Sequence, residues 1–147
     1  MLTLVTGIPA SGKTTFCKDK PTFSWDSWVL VYTGIKNVEE AGIAFSKDKN
    51  GLAALADAIV AEYDGSLFVD APIMYASLRT ELVALLKKRG IQDINCIYLL
   101  CPVYLASGRN VQRGLPISRE ALYSAFACQE YPTTAEGFTT VNFIVSE

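Results

Sequence analysis

No histidine occurs among the 147 residues. That absence removes the commonest general base, every histidine-containing metal site and every Ser-His or Cys-His nucleophile pair. Cysteine is sparse as well. Cys17, Cys96, Cys101 and Cys128 show no CxxC pairing and lie in or beside apolar runs, so they read as reduced core thiols rather than a zinc knot or disulfide framework. No apolar stretch reaches the roughly 18 residues of a membrane span, and no charged segment precedes the run Leu2 to Val5. Spanning and secretion therefore lack support, and a cytoplasmic location is expected. Nor is there a basic excess: 13 Lys and Arg against 15 Asp and Glu leave a formal charge of −2, which argues against a broad basic face that coats nucleic acid. A local basic site stays compatible with that balance. Chemistry is left to Asp, Glu, Lys, Arg, Ser, Thr, Tyr and Cys.

Half of the residues are apolar, too many for a disordered chain and, at this length, enough for the core of one domain over residues 1–147. Strand and helix patterns alternate along it. Leu2 to Thr6 is a β-branched and leucine run ended by Gly7, and Phe23 to Trp25 is a short second strand behind Pro21. Trp28 to Tyr32 suits a strand or the first turns of a helix equally, and Lys47 to Gly51 reads as a solvated turn. Gly51 to Tyr63 places Leu52, Leu55, Ala56, Ile59 and Val60 at helical spacing, and Leu67 to Val69 follows as a strand. A helix is predicted over Tyr75 to Arg89, with Lys87, Lys88 and Arg89 at its negative end and Gly90 as its stop. Ile94 to Leu100 is a strand, Pro102 to Gln112 a helix, Ser118 to Gln129 a helix capped by Ser118, and Thr139 to Val145 the last strand. Strands separated by helices imply right-handed crossovers and a mostly parallel sheet covered on both faces, an α/β fold.

The strongest motif follows the first strand. Gly7-Ile8-Pro9-Ala10-Ser11-Gly12-Lys13-Thr14 fits G-x-x-x-x-G-K-[ST] throughout, between a strand and a helical stretch, where a phosphate-binding loop must sit. Its glycines let the backbone wrap a phosphate so that N–H groups and the start of the next helix face the anion. Lys13 would reach the β- and γ-phosphates and the Thr14 hydroxyl would ligate Mg²⁺, with Thr15 completing the nucleotide-binding stretch. Asp70, at the end of its strand, can hold the water shell of Mg²⁺ or orient an acceptor hydroxyl; otherwise it caps the next helix. Asp26, between Trp25 and Trp28, can take the proton of an acceptor hydroxyl, or else caps a helix. Arg109 and Arg113 are spaced i, i+4, so a continuing helix would carry both on one face, as a lid over about 108–118 that grips phosphate oxygens. Arg79, Lys87, Lys88, Arg89 and Arg119 are scattered cations, either solvated or part of a surface for an anionic substrate.

Together these residues resemble the 5′-kinase domain of the bacteriophage polynucleotide kinase family and its relatives among small P-loop kinases. The likeness rests on Gly7 to Thr14, Asp26, Gly65-Ser66-Leu67-Phe68-Val69-Asp70, Arg109-Asn110-Val111-Gln112-Arg113-Gly114 and Pro116-Ile117-Ser118-Arg119-Glu120-Ala121-Leu122, in an order that extends over nearly the whole chain. It implies a five-stranded parallel sheet of the adenylate-kinase type, ATP with Mg²⁺ as donor, a nucleic-acid hydroxyl as acceptor, DNA rather than RNA, and the host cytoplasm as the compartment of a phage-encoded chain. By the same resemblance Lys13 and Thr14 handle the triphosphate, Asp26 is the general base, Asp70 lies in the acceptor pocket, and Arg109 and Arg113 clasp the donor phosphates. The chain departs from the family pattern at Val29, where an arginine three residues beyond the base would contact a substrate phosphate. The segment from Asp26 to Asp70 is short for the family, and no DxDx[TV] phosphatase motif occurs. Four acceptor readings stay open: the 5′-hydroxyl of a polynucleotide, a 5-hydroxymethyl-pyrimidine base stacked on Trp25, Trp28 or Tyr75, a nucleotide or small molecule, and water in a P-loop ATPase module.

Overall fold

The computed structural model describes residues 1–113 and 116–145. Five strands, β1 (Leu2–Thr6), β2 (Thr22–Ser24), β3 (Leu67–Asp70), β4 (Ile94–Leu100) and β5 (Thr140–Val145), form a wholly parallel sheet in the order β2-β3-β1-β4-β5 among the described residues. With helices between the strands, this is the α/β architecture of the adenylate-kinase type that the strand and helix alternation implied. Every residue of β1 is buried, as a central strand covered on both faces requires. β5, at one edge, leaves Phe143, Ile144 and Val145 exposed.

The helices are α1 (Lys13–Cys17), α2 (Trp25–Thr33), α3 (Val38–Lys47), α4 (Gly51–Glu62), α5 (Ala76–Lys88), α6 (Val103–Gln112) and α7 (Arg119–Cys128). Two expectations change here. Trp25 opens α2 instead of closing β2, because the Ser24 hydroxyl caps the helix by accepting from the Ser27 N–H. Trp28 to Tyr32 continues that helix, and burial of Trp25 and Val29 fixes its inner face. Lys47 belongs to α3, which Asn37 caps through the Glu40 N–H and Glu39 and Glu40 favour at its positive end; the solvated turn shrinks to residues 48–50. No long apolar stripe announces α3, since Val38 and Ala41 are its buried residues.

The main core lies between the sheet and α2 to α5, around Leu4, Leu55, Ile59, Val69, Leu82, Leu86 and Ile94. A smaller one, with Ile8, Cys101, Ala106 and Leu122, sits under α6 and α7. Cys17, Cys96 and Cys101 are buried as expected of core thiols, and burial pushes Cys17 up to about 11 and Cys96 up to about 12. Cys128 differs: it is exposed at the end of α7.

Arg79 overturns its reading as a scattered surface cation. It is fully buried, donates from Nε to Glu136 at 2.6 Å and from Nη2 at 3.2 Å, and donates from Nη1 to the Ile73 carbonyl at 3.1 Å. Arg89 pairs with Asp57 at 2.6 Å, and Arg119 lies over the Tyr123 ring, so these two act locally. Glu136 also takes part in a capping box with Thr133, which joins the approach to β5 to the segment after β3. Removing one partner strands a charge in the interior. Arg79→Ala should therefore cost about 3–5 kcal/mol in urea unfolding, whereas an apolar replacement of both Arg79 and Glu136 should cost much less.

Candidate active site

The sheet register gathers the chemistry at the carboxyl ends of three strands. Val5 pairs with Asp70 across β1 and β3, and Ser24 pairs with Asp70 across β2 and β3, so Gly7, Asp70 and Asp26 all emerge within two residues of that row. Strand order reverses about β1, and a crevice at such a switch point is where open α/β sheets bind ligands.

Gly7 leaves β1 with φ of +153° and touches the neighbouring strand: a Cβ there would lie 2.8 Å from the Leu99 carbonyl oxygen and 3.0 Å from Ser11 Oγ. Ala10 and Gly12, with φ of +62° and +102°, flank Ser11. Alternation of this kind turns consecutive N–H groups towards a common centre, a concavity suited to an anion. The helix that follows, α1, has only five residues, so the loop's own amides, more than a long helix dipole, must supply that affinity. Ser11 Oγ is buried without a hydrogen-bond partner, a polar atom oriented for something the protein itself does not supply.

Lys13 folds back over this loop, donating to the Ile8 carbonyl at 2.9 Å and the Gly7 carbonyl at 3.3 Å. Burial lowers its pKa, an effect that the carboxylates of Asp70 and Asp26 oppose. Thr14 donates its hydroxyl to Asp70 Oδ2 at 2.8 Å. Desolvation raises the Asp70 pKa, while Lys13 and the Thr14 hydrogen bond pull it back down. Asp70 is thus no exposed helix cap. It stands on the Thr14 side of the crevice, where one hydroxyl and one carboxylate form a hard oxygen pair suited to Mg²⁺, an ion that keeps its remaining positions for phosphate oxygens and waters. No cluster of three or more His, Cys, Asp or Glu that could hold a metal ion is found among the described residues.

Asp26 sits in the first turn of α2, past the Ser24 cap, and accepts from Arg113 Nη2 at 2.8 Å with both side chains partly exposed. Arg109 lies on α6 and donates to the Ser11 carbonyl at 3.1 Å. Here the helical-face expectation is corrected. α6 ends at Gln112 and Arg113 is already extended, with φ of −81° and ψ of 155°, so the two arginines do not share a helix face. They still meet one crevice, Arg109 at the loop and Arg113 at the carboxylate. Of the expected lid over 108–118, Gly114 and Leu115 lie outside the described residues.

Two further residues carry no motif. The Asn110 side chain accepts from the Ile117 N–H at 3.1 Å and donates to its carbonyl at 2.7 Å, clasping the two sides of the connection from α6 to α7. Glu39 on α3 accepts from the Ser118 N–H at 2.8 Å, bridging the crevice from α3 to the start of α7. Neither interaction has a periodicity or spacing that a sequence could reveal. Beneath the bridge lies a cavity of about 1390 Å³ that runs from the phosphate loop past Asp26 and Asp70 to α3, α5 and α7. Trp25 and Tyr75 line it; Trp28 does not, being stacked on Tyr32 at 4.7 Å between ring centres and packed against Phe23 and Phe45. Trp28 is therefore removed from the candidates for stacking on a bound base.

No family profile matches the sequence, and no curated protein does. Solved structures do match. Kti12 of Chaetomium thermophilum in complex with ADP-AlF3 aligns at a TM-score of 0.65 and 16% identity over 99% of this chain and 89% of that one. A sugar kinase from Janibacter sp. HTCC2649 aligns at 0.63 and 19% over 98% and 83%, and a gluconokinase from Sinorhizobium meliloti 1021 at 0.60 and 14% over 98% and 81%. At these identities the likeness establishes the fold that the three structures share with this chain and nothing beyond it. The close approach at Gly7 yields a first test of the loop. Gly7→Ala should cost about 3 kcal/mol or more and abolish any stabilisation by added nucleotide, whereas Gly65→Ala, strained in φ but with open space around it, should cost about 1–2 kcal/mol and retain that stabilisation in thermal melts.

Proposed function

We propose that this protein is an ATP-dependent phosphotransferase that moves the γ-phosphoryl group to a hydroxyl presented beside Asp26. The observation that carries this reading is the meeting, at one end of one sheet, of a phosphate-shaped loop, a buried lysine, a hydroxyl–carboxylate pair and a second carboxylate ion-paired to an arginine. Residues Gly7, Ile8, Pro9, Ala10, Ser11 and Gly12, with Lys13, Thr14 and Thr15, would hold the triphosphate, and the Lys13 ammonium would exchange loop carbonyls for phosphate oxygens. Thr14 and Asp70 would hold Mg²⁺, Asp70 through water. Bound there, the ion would neutralise charge on the β- and γ-phosphate oxygens.

The acceptor oxygen bonds to the γ-phosphorus as the bond to the β–γ bridging oxygen breaks; ADP departs with that electron pair, and the acceptor proton passes to Asp26. Arg113 holds the Asp26 carboxylate as its ion pair at rest, and its fork can serve the transferring phosphoryl oxygens once these arrive. Arg109 braces the Ser11 carbonyl, keeping the loop in its anion-receiving shape. The sequence resemblance favours a nucleic-acid hydroxyl as acceptor, at a polynucleotide 5′ end or on a 5-hydroxymethyl-pyrimidine. Yet a phosphate loop, its lysine and a carboxylate that takes a hydroxyl proton would serve any alcohol. Fold neighbours named a sugar kinase and a gluconokinase support a hydroxyl acceptor equally well.

The roles separate by mutation. With γ-labelled ATP and Mg²⁺, Asp26→Asn should lower transfer by about 10²–10⁴-fold while nucleotide affinity stays within a few-fold, and Arg113→Ala should lower it by about 10³-fold. Lys13→Ala should remove nucleotide binding itself, measured by calorimetry. Equal loss of nucleotide affinity in Asp26→Asn would exclude it as the base, and release of free phosphate unaffected by any alcohol would replace the kinase with an ATPase.

A further inference from the structure

The cavity is chemically divided. Its described cations, Lys13, Arg109 and Arg113, all stand at the phosphate-loop end and engage the Ile8 carbonyl, the Ser11 carbonyl and Asp26 respectively. Among the described residues, no Lys or Arg lines the far half. One wall is Trp25, Val38, Ile43 and Phe45, with the Trp25 ring set edge-on to Phe45 at 5.9 Å between centres. The opposite wall is Met74, Tyr75, Leu78 and Ile117. The charged groups on this half are Glu39, held by the Ser118 N–H, and Glu120.

Within α3, Gly42 is a helix-interior glycine facing this space. A Cβ at Gly42 would stand 3.2 Å from Cη2 of Trp25, closer than the ring tolerates without shifting. Glycine inside a helix is unfavourable relative to alanine, so its presence here keeps the Trp25 face and the cavity floor clear. An acceptor bearing phosphate, or a strand of several, would bring anions against Glu39 and Glu120 with no described cation on that half to answer them. Val29, on the inner face of α2, is fully buried within the core and brings no charge to this half.

We infer that the acceptor is a small, uncharged alcohol with an aromatic or aliphatic body, seated between Trp25 and Phe45 on one side and Tyr75 and Leu78 on the other, its hydroxyl towards Asp26. Such a ligand gains from leaving water in an apolar cleft and carries no charge that the wall must neutralise. This inference rests on the phosphotransferase reading.

The experiment offers γ-labelled ATP and Mg²⁺ with four probes in parallel: 2-phenylethanol and 3-phenylpropanol as uncharged alcohols, gluconate as a small anion, and a 5′-hydroxyl oligonucleotide. Binding of each probe to the nucleotide-loaded protein is read by saturation-transfer NMR, and nucleotide binding is measured separately by calorimetry. Expected is binding of the phenylalkanols and transfer to at least one of them at tenfold or greater efficiency over either anionic probe. Leu78→Arg, at a position already 38% exposed, should weaken phenylalkanol binding at least fivefold and narrow the disadvantage of the anions, with nucleotide binding by calorimetry confirming that the variant is folded. Gly42→Val should weaken the longer phenylalkanol more than the shorter. Transfer to the oligonucleotide or gluconate at equal or better efficiency would overturn the inference, and so would absence of phenylalkanol binding in a protein that binds nucleotide. Absence of nucleotide binding would instead bring down the phosphotransferase reading itself.

Discussion

Lys13 is 7% exposed, so its ammonium has left bulk water, and its hydrogen bonds to the Ile8 and Gly7 carbonyls replace only part of what hydration supplied. The fold answers that deficit with two carboxylates at strand ends, Asp70 and Asp26, each of which raises the lysine pKa that burial lowers. Neither carboxylate contacts the ammonium through a hydrogen bond the structure records: Asp70 takes the Thr14 hydroxyl and Asp26 takes Arg113. The charge is therefore surrounded but not closed off, and an anion entering the loop, as proposed for the triphosphate, would complete it. Parallel pairing about β1 makes this possible, because it alone sets Gly7 beside Leu99 on one flank and Asp70 beside Val5 on the other.

What could be read from the sequence divides along the same line as local and distant physics. The phosphate loop was legible because its constraint is local: glycines where φ is positive or where the backbone touches β4, then lysine and threonine at fixed offsets. Strands β1 and β4 were legible to the residue because continuous burial leaves continuous apolar runs. α5 was legible through its leucine spacing and terminal cations. α3 was not, since it buries little and its cap, Asn37, looks like an ordinary loop residue. Arg79 misled for the converse reason. A helix charge shows no sign in sequence of whether a distant glutamate, 57 positions along, awaits it inside the core.

Arg109 and Arg113 line one cavity, but not for the reason their spacing suggests. Spacing of four placed them together only on the assumption of an uninterrupted helix, and α6 stops between them. They meet the crevice separately, while Asn110 is hydrogen-bonded to the backbone of Ile117 and Glu39 receives the N–H of Ser118 at the start of α7. The consequence is a division of labour that a shared face would not have produced. Arg109 is tied to the backbone of the phosphate loop, and Arg113, one residue beyond the helix, reaches across to the α2 carboxylate.

This division bears on how donor and acceptor are coupled. A partly exposed ion pair such as Asp26–Arg113 contributes little to stability, because solvent screens it and two side chains must be held. In the proposed reaction its significance would lie in exchange: a guanidinium that leaves a weak partner for a phosphate fork forfeits little, and the carboxylate it leaves behind would become available to a hydroxyl proton. Occupation of the proposed donor loop and readiness of the proposed base would thus be linked through one side chain whose resting bond is weak. A buried, stronger pair of the Arg79–Glu136 kind could not serve this purpose, since breaking it would cost more than a single phosphate contact returns.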